Sequence, residues 1–188
     1  MQGLGTAFEK PVLSNVVSVM YRSALRKAKT VFFENEENAQ FFLHKNIISA
    51  QQMKVLPGAG INLDEYPYVP MKDDGVCSFL FVGRIMKEKG VDEFFAAAKT
   101  IKAELGEKVA FDVVGFYEDA YKGTVDQLVA DGVINFHGFQ TDVHPFYEAA
   151  DCVVLPSYHE GMSNVLLEGA ATGRALITSD IPGCREAV

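Results

Sequence analysis

The sequence has no tryptophan, only three cysteines among 188 residues, and no apolar run long enough to cross a bilayer. A membrane-spanning helix needs roughly 18 or more consecutive apolar residues. The start Met1-Gln2-Gly3-Leu4-Gly5 also lacks the basic and then apolar segments of a signal peptide. Neither anchor nor leader is expected, and the expected location is the cytoplasm. Cys77, Cys152 and Cys184 make an odd set, the first two inside apolar runs where a thiol behaves as a small hydrophobe. That pattern suits a reducing compartment. Positive charge is scarce too: 17 Lys and Arg against 25 Asp and Glu leave a net charge of -8. A nucleic-acid binder needs a basic face from which counterions are released, so nucleic acid is not an expected partner.

Several chemical signatures are also missing. His44, His137, His144 and His159 form neither H-E-x-x-H nor a Cys/His pair at zinc spacing, so no metal site is expected. No G-x-G-x-x-G stands between a strand and a helix, and the stretch Gly115 to Thr124 lacks the Gly-Lys-Ser/Thr ending of a P-loop. Dinucleotide cofactors and P-loop chemistry are therefore not indicated.

What is present is a chain with 48% hydrophobic and 22% charged residues, enough for a full core in one α/β domain. Val16, Val17, Met20, Tyr21, Ala24 and Leu25 recur at spacings of three and four, which predicts an amphipathic helix over 14–28. A strand at 30–33, a helix at 36–44 with acids in its first turn, and a strand at 54–56 follow. Residues 61–75 carry four acids and two prolines without periodicity and are read as a connector between domains. Beyond them, β-rich runs at 76–82, 109–114, 133–136, 152–155 and 175–178 alternate with helical segments at 91–105, 119–130, 142–150 and 163–172. Strand and helix alternating at this spacing predict right-handed βαβ units, hence a Rossmann-like α/β fold with a parallel sheet covered on both faces.

In such a sheet ligands bind beyond the carboxyl ends of the strands. The first strand of the regular series ends in Gly83-Arg84-Ile85-Met86-Lys87-Glu88-Lys89-Gly90, which gathers glycines and three cations in one turn ahead of a helix. That turn suits a phosphate, although a basic cluster by itself reads equally well as a solvated loop. After the fourth strand, Glu160 falls in a loop, and Glu168 falls inside a helical segment otherwise made of Leu, Gly and Ala. Amides at Met162 to Val165 open that segment and, with its dipole, make a site for an anion. Glu168 alone would be a solvated helix acid, and Glu160 alone a dipole partner. Both residues beside a glycine-rich cationic turn point to a phosphate-bearing ligand.

The combination Val82-Gly83-Arg84…Lys89-Gly90 with Glu160-x7-Glu168 resembles glycosyltransferase family 4, retaining enzymes of the GT-B fold. Pro57-Gly58-Ala59-Gly60-Ile61-Asn62 is similar to the interdomain turn of that family, Phe136-His137-Gly138 to the strand before the base pocket, and Ser179-Asp180-Ile181-Pro182-Gly183…Glu186 to the loop after the fifth strand. Gly3-Leu4-Gly5 and Phe32-Phe33-Glu34-Asn35 resemble bacterial members that build capsular or lipid-linked polysaccharide. The resemblance implies that residues 1–70 are the end of an incomplete acceptor domain with its connector, and 71–188 a nucleotide-sugar-binding domain cut short at its C-terminus. The sequence then reads as a fragment without its own acceptor site.

Carried over by position, Arg84 and Lys89 would bind the donor diphosphate and Glu168 the ribose hydroxyls. Glu160 would contact the donor sugar as the catalytic residue. The amides around Ser163, Asn164 and Val165 would cap the distal phosphate, and Phe139 and Gln140 would border the base. The reaction implied is transfer of a hexose or N-acetylhexosamine from a nucleoside diphosphate sugar, with a UDP-sugar favoured. The acceptor implied is a growing polysaccharide or polyprenyl-linked glycan. Retention at the anomeric carbon, no obligatory metal or cofactor, and peripheral contact of the full-length enzyme with the membrane complete the expectation. The alternative is a nucleotide-sugar-binding module without turnover in this form.

Overall fold

The computed structural model describes residues 8, 11–56, 58 and 60–188. Gly3-Leu4-Gly5, and Pro57 and Ala59 of the interdomain turn, lie outside the described residues. The chain forms two compact units. One comprises Met1–Gly60 with His159–Ser163 and Asp180–Ala187, and the other comprises Ile61–Tyr158 with Asn164–Ser179 and Val188.

In the first unit α1 (Pro11–Leu25) leads to β1 (Val31–Phe33), α2 (Glu36–His44) and β2 (Met53–Val55), and β1 pairs with β2 in parallel. Helix α1 starts three residues before the expected 14, at a proline whose fixed φ suits a first helical position. Its inward face also differs from the apolar stripe read in the sequence. Ser14 and Ser18 are buried, while Tyr21 and Leu25 pack on the core of Val31, Phe33, Ala39, Phe42, Ile47 and Ile48. The Ser18 hydroxyl donates to the Ser14 carbonyl at 2.6 Å, which makes the inward serine tolerable. Val16 and Met20 face outward at 52% and 65% exposure.

The second unit contains β3 (Cys77–Val82), α3 (Val91–Leu105), β4 (Val109–Val114), α4 (Lys122–Ala130), β5 (Asn135–Phe136), α5 (His144–Ala149), β6 (Cys152–Leu155), α6 (Asn164–Ala171) and β7 (Ala175–Thr178). The five strands form one parallel sheet in the order β5-β4-β3-β6-β7. The period of two along β3 sends Leu80 to one face, where it meets Val114, Tyr147, Ala150 and Val153. Phe79 and Phe81 go to the other face, where Phe79 stacks on Phe111 and both Phe81 and Phe111 meet Phe94 of α3. The α/β sheet with helices on both faces is as expected. Three elements begin at least two residues later than expected: β5 at Asn135, α5 at His144, and α4 at Lys122, because Asp119–Tyr121, read as the start of its helix, is a 3-10 turn.

The connector has no regular element, yet it is fastened to this unit. Val69 donates its N–H to the Thr172 carbonyl at 3.1 Å. The buried Arg174 guanidinium donates to the carbonyls of Val69, Ala150 and Thr172. No described helix is long and apolar enough to cross a membrane.

Candidate functional site

Successive strands are added on one side of β3 as far as β5 and on its other side from β6, and the crevice beyond the carboxyl ends of the parallel neighbours β3 and β6 is the natural ligand position of such a sheet. The two loops leaving these strands are tied together. Glu88 accepts at its carbonyl from the Tyr158 N–H at 2.9 Å and from the Ser157 hydroxyl at 3.1 Å. Gly90 closes the Lys87–Lys89 turn with φ 68° and starts α3. A Cβ at Gly90 would lie 1.8 Å from the Pro156 carbonyl oxygen, so the approach of the two loops requires glycine there.

Arg84 is fixed through its neighbours. Gly83 donates its N–H to Val114 at 2.9 Å, and the buried Ile85 donates to Phe116 at 2.9 Å, which pins both sides of Arg84 to the exit of β4. Its own side chain is exposed, and Lys89 is partly buried in the same turn. Both cations therefore stand at the β3 end of the switch point.

Helix α6 begins at Asn164, so Asn164 and Val165 contribute the first amides without an intrahelical partner. Ser163 is different: its N–H already donates to the Gly183 carbonyl at 2.9 Å. The Ser163 amide, expected among the donors that face an anion, is therefore already committed to Gly183. Gly169 permits α6 to lie close on the sheet, since a Cβ there would come 2.8 Å from Val153 Cγ2. The preceding residue, Glu168, is partly exposed and accepts from the Tyr147 hydroxyl at 2.7 Å on Oε2.

Phe139 follows β5 and is 66% exposed; its ring sits 6.4 Å from that of Phe116, itself 53% exposed beyond β4. Gln140 donates to the His137 carbonyl at 2.6 Å. Gly115 and Gly138 join the two loops by an N–H to carbonyl bond of 2.8 Å. Two aromatic faces thus stand open to solvent at one edge of the sheet.

Glu160 belongs to the first unit. The backbone beside it is held from two directions. Asn35, which caps α2 through its side-chain oxygen, donates its amide nitrogen to the Gly161 carbonyl at 2.9 Å. Gly183, at φ 83°, sits so close to Glu160 and Gly161 that a Cβ would come 2.5 Å from the Gly161 oxygen. Glu186 in turn accepts the Gly183 N–H at 2.5 Å. Among the described residues no group of three or more His, Cys, Asp or Glu is arranged to hold a metal ion.

The supporting residues Tyr147, Tyr66 and Asn35 were not legible as site residues. Tyr147 looks like one apolar position of a short helix, and Tyr66 lies in an aperiodic connector. Asn35 has a sequence signal, an Asn before two acids, but it marks only a helix start.

The family described as Glycosyl transferases group 1 matches residues 77–188. Among individual relatives, N,N'-diacetylbacillosaminyl-diphospho-undecaprenol alpha-1,3-N-acetylgalactosaminyltransferase of Campylobacter jejuni is 26% identical across 100% of this chain and 53% of its own length. A glycogen synthase of Mycobacterium tuberculosis is 32% identical across 69% of this chain and 32% of its own length. The chain thus spans about half or less of these relatives. In three dimensions it is similar to Anabaena HepE in complex with UDP and glucose, with TM-score 0.72 and 19% identity over 93% of this chain and 52% of that one. A likeness at that identity shows the fold, here the GT-B arrangement of glycosyltransferases.

Proposed function

The chain belongs to the Glycosyl transferases group 1 family, and from that membership we propose that it carries the donor-binding part of an enzyme transferring a hexose or N-acetylhexosamine from a nucleoside diphosphate sugar to a polysaccharide or lipid-linked glycan. The carrying observation is the switch point itself: a cationic turn hydrogen-bonded to the loop that leaves β6, on the chain that continues into the helix bearing Glu168. UDP and glucose in the HepE complex favour a UDP-sugar, and the Campylobacter relative's name favours a lipid-linked acceptor.

In this reading Arg84 and Lys89 offset the charge that develops on the leaving diphosphate, and the amides of Asn164 and Val165 meet it from the helix end. Glu168 accepts from the ribose hydroxyls, Phe139 and Gln140 border the base, and Glu160 contacts the donor sugar. Stabilising the leaving group in place requires no protein nucleophile, and the reading is one of retention without an obligatory metal. A binding module without turnover shares the same donor contacts. A product assay with labelled nucleotide sugar and polyprenyl-linked acceptors separates the two.

The direct test is calorimetric titration with UDP, GDP and ADP. UDP should bind, and Glu168→Ala should weaken it by about 1.5–3 kcal/mol, the range for a hydrogen bond to a charged group. Absence of binding by all three nucleotides would remove the donor site, and an unchanged UDP affinity in Glu168→Ala would remove the ribose role.

A further inference from the structure

Three residues far apart in sequence converge beneath the outer surface of α6. Tyr147 of α5 is fully buried, with its ring in the core of Leu80, Val114 and Val153, and its hydroxyl reaches Glu168 Oε2 at 2.7 Å. Tyr66, from the connector, stands edge-on to Tyr147 with ring centroids 6.1 Å apart. The Tyr66 ring is in turn held against His144 at 4.4 Å, and His144 is fastened to Asp142 by a ring nitrogen at 2.7 Å and its backbone N–H at 3.1 Å.

A carboxylate offers about four acceptor positions, and a Glu side chain on a helix surface is otherwise free to rotate. The Tyr147 phenol, approaching from the core, occupies one of those positions and leaves the outward ones available. We infer that Tyr147, backed by the Tyr66 ring, is a positioning residue for the donor nucleotide: its hydroxyl holds the Glu168 carboxylate in the orientation that receives the ribose hydroxyls, without touching the nucleotide itself. The inference rests on the ribose role given to Glu168 above.

Burial, and after it the charge of Glu168, pushes the Tyr66 phenol up to about 12 and the Tyr147 phenol higher still. Both hydroxyls are therefore neutral near pH 7, and between Tyr147 and Glu168 the phenol donates and the carboxylate accepts. The connector contributes through packing, because its Tyr66 ring lies against the ring of the tyrosine that aligns Glu168.

The test is titration of the 188-residue chain with UDP and with 2′,3′-dideoxyuridine diphosphate. Tyr147→Phe should weaken UDP about fivefold, and Tyr66→Leu, which removes the ring packed on Tyr147, should weaken it in the same direction, while each changes the dideoxy ligand by less than about twofold. In a Glu168→Gln background the same substitutions should add little to the loss, since residues acting through one group are not additive. Equal losses for both ligands, no loss for UDP, or full additivity with Glu168→Gln would overturn the positioning role while leaving the donor site in place. If the unaltered chain bound both ligands equally, the ribose role of Glu168 would fall and this inference with it. Should Tyr147→Phe fail to fold, Tyr66→Leu carries the test through the ring that backs Tyr147, because Tyr66 is partly exposed and lies in no regular element.

Discussion

Helices α1 and α3 each have fifteen residues and each repeat apolar side chains at spacings of three and four, yet they have opposite fates. Helix α3 buries Val91, Phe94, Phe95 and Ala98 completely or nearly so. Helix α1 turns two serines inward and leaves Val12, Val16, Val19 and Met20 between 52% and 80% exposed. A cavity of about 330 Å³ opens along its Val17, Met20, Tyr21 and Ala24. The difference lies in what each helix meets. A five-stranded sheet presents Phe81 and Phe111 to α3, whereas the small core of Val31, Phe33, Ala39, Phe42, Ile47 and Ile48 receives Tyr21 and Leu25 of α1. Periodicity makes a helix amphipathic, but which stripe becomes core depends on the surface it finds.

The strongest way to break this comparison is Phe94→Ala. Removing a ring that contacts Phe81, Phe95 and Phe111 should cost about 3–5 kcal/mol in chemical denaturation. A loss below about 1 kcal/mol would mean that α3 is no better seated than α1.

The turn ahead of α3 sharpens the contrast further, because there the proposed function gives tight packing a part in donor binding. Arg84→Ala and Lys89→Ala should each weaken UDP about tenfold and leave uridine nearly unchanged, as expected for charge-assisted contacts to phosphate. The gap should narrow in high salt. Equal losses for UDP and uridine would move these cations away from the diphosphate.

The smallest effect is expected on α1, where Val16→Lys and Met20→Lys should shift the stability of this chain by no more than about 0.5 kcal/mol. A larger loss in the same denaturation experiment would show that the outward stripe is covered in solution.

Where the argument from sequence succeeded, the signal was local. The strand at 152–155, the helix at 91–105 and the cation-bearing turn at 83–90 stand where their residues alone place them. Runs of β-branched and aromatic residues, a helical period and a glycine closing a turn act within a few residues of themselves. Glu168 is legible too, as an acid on an apolar helix. The hydroxyl that meets it is not, since Tyr147 arrives from 21 positions away.

The amino-acid pattern by itself thus determined the α/β class, the order of elements, and the presence of cations and acids after two particular strands. Tertiary structure alone decided that those strands are neighbours, that Glu88 ties their loops together, and that Ser163 has already given its amide to Gly183. It also decided that the Tyr147 hydroxyl reaches Glu168 and that a connector tyrosine packs on Tyr147. The physical reason is range. Propensity and periodicity are properties of adjacent residues, whereas hydrogen-bond partners and close approaches exist only once distant segments share a surface.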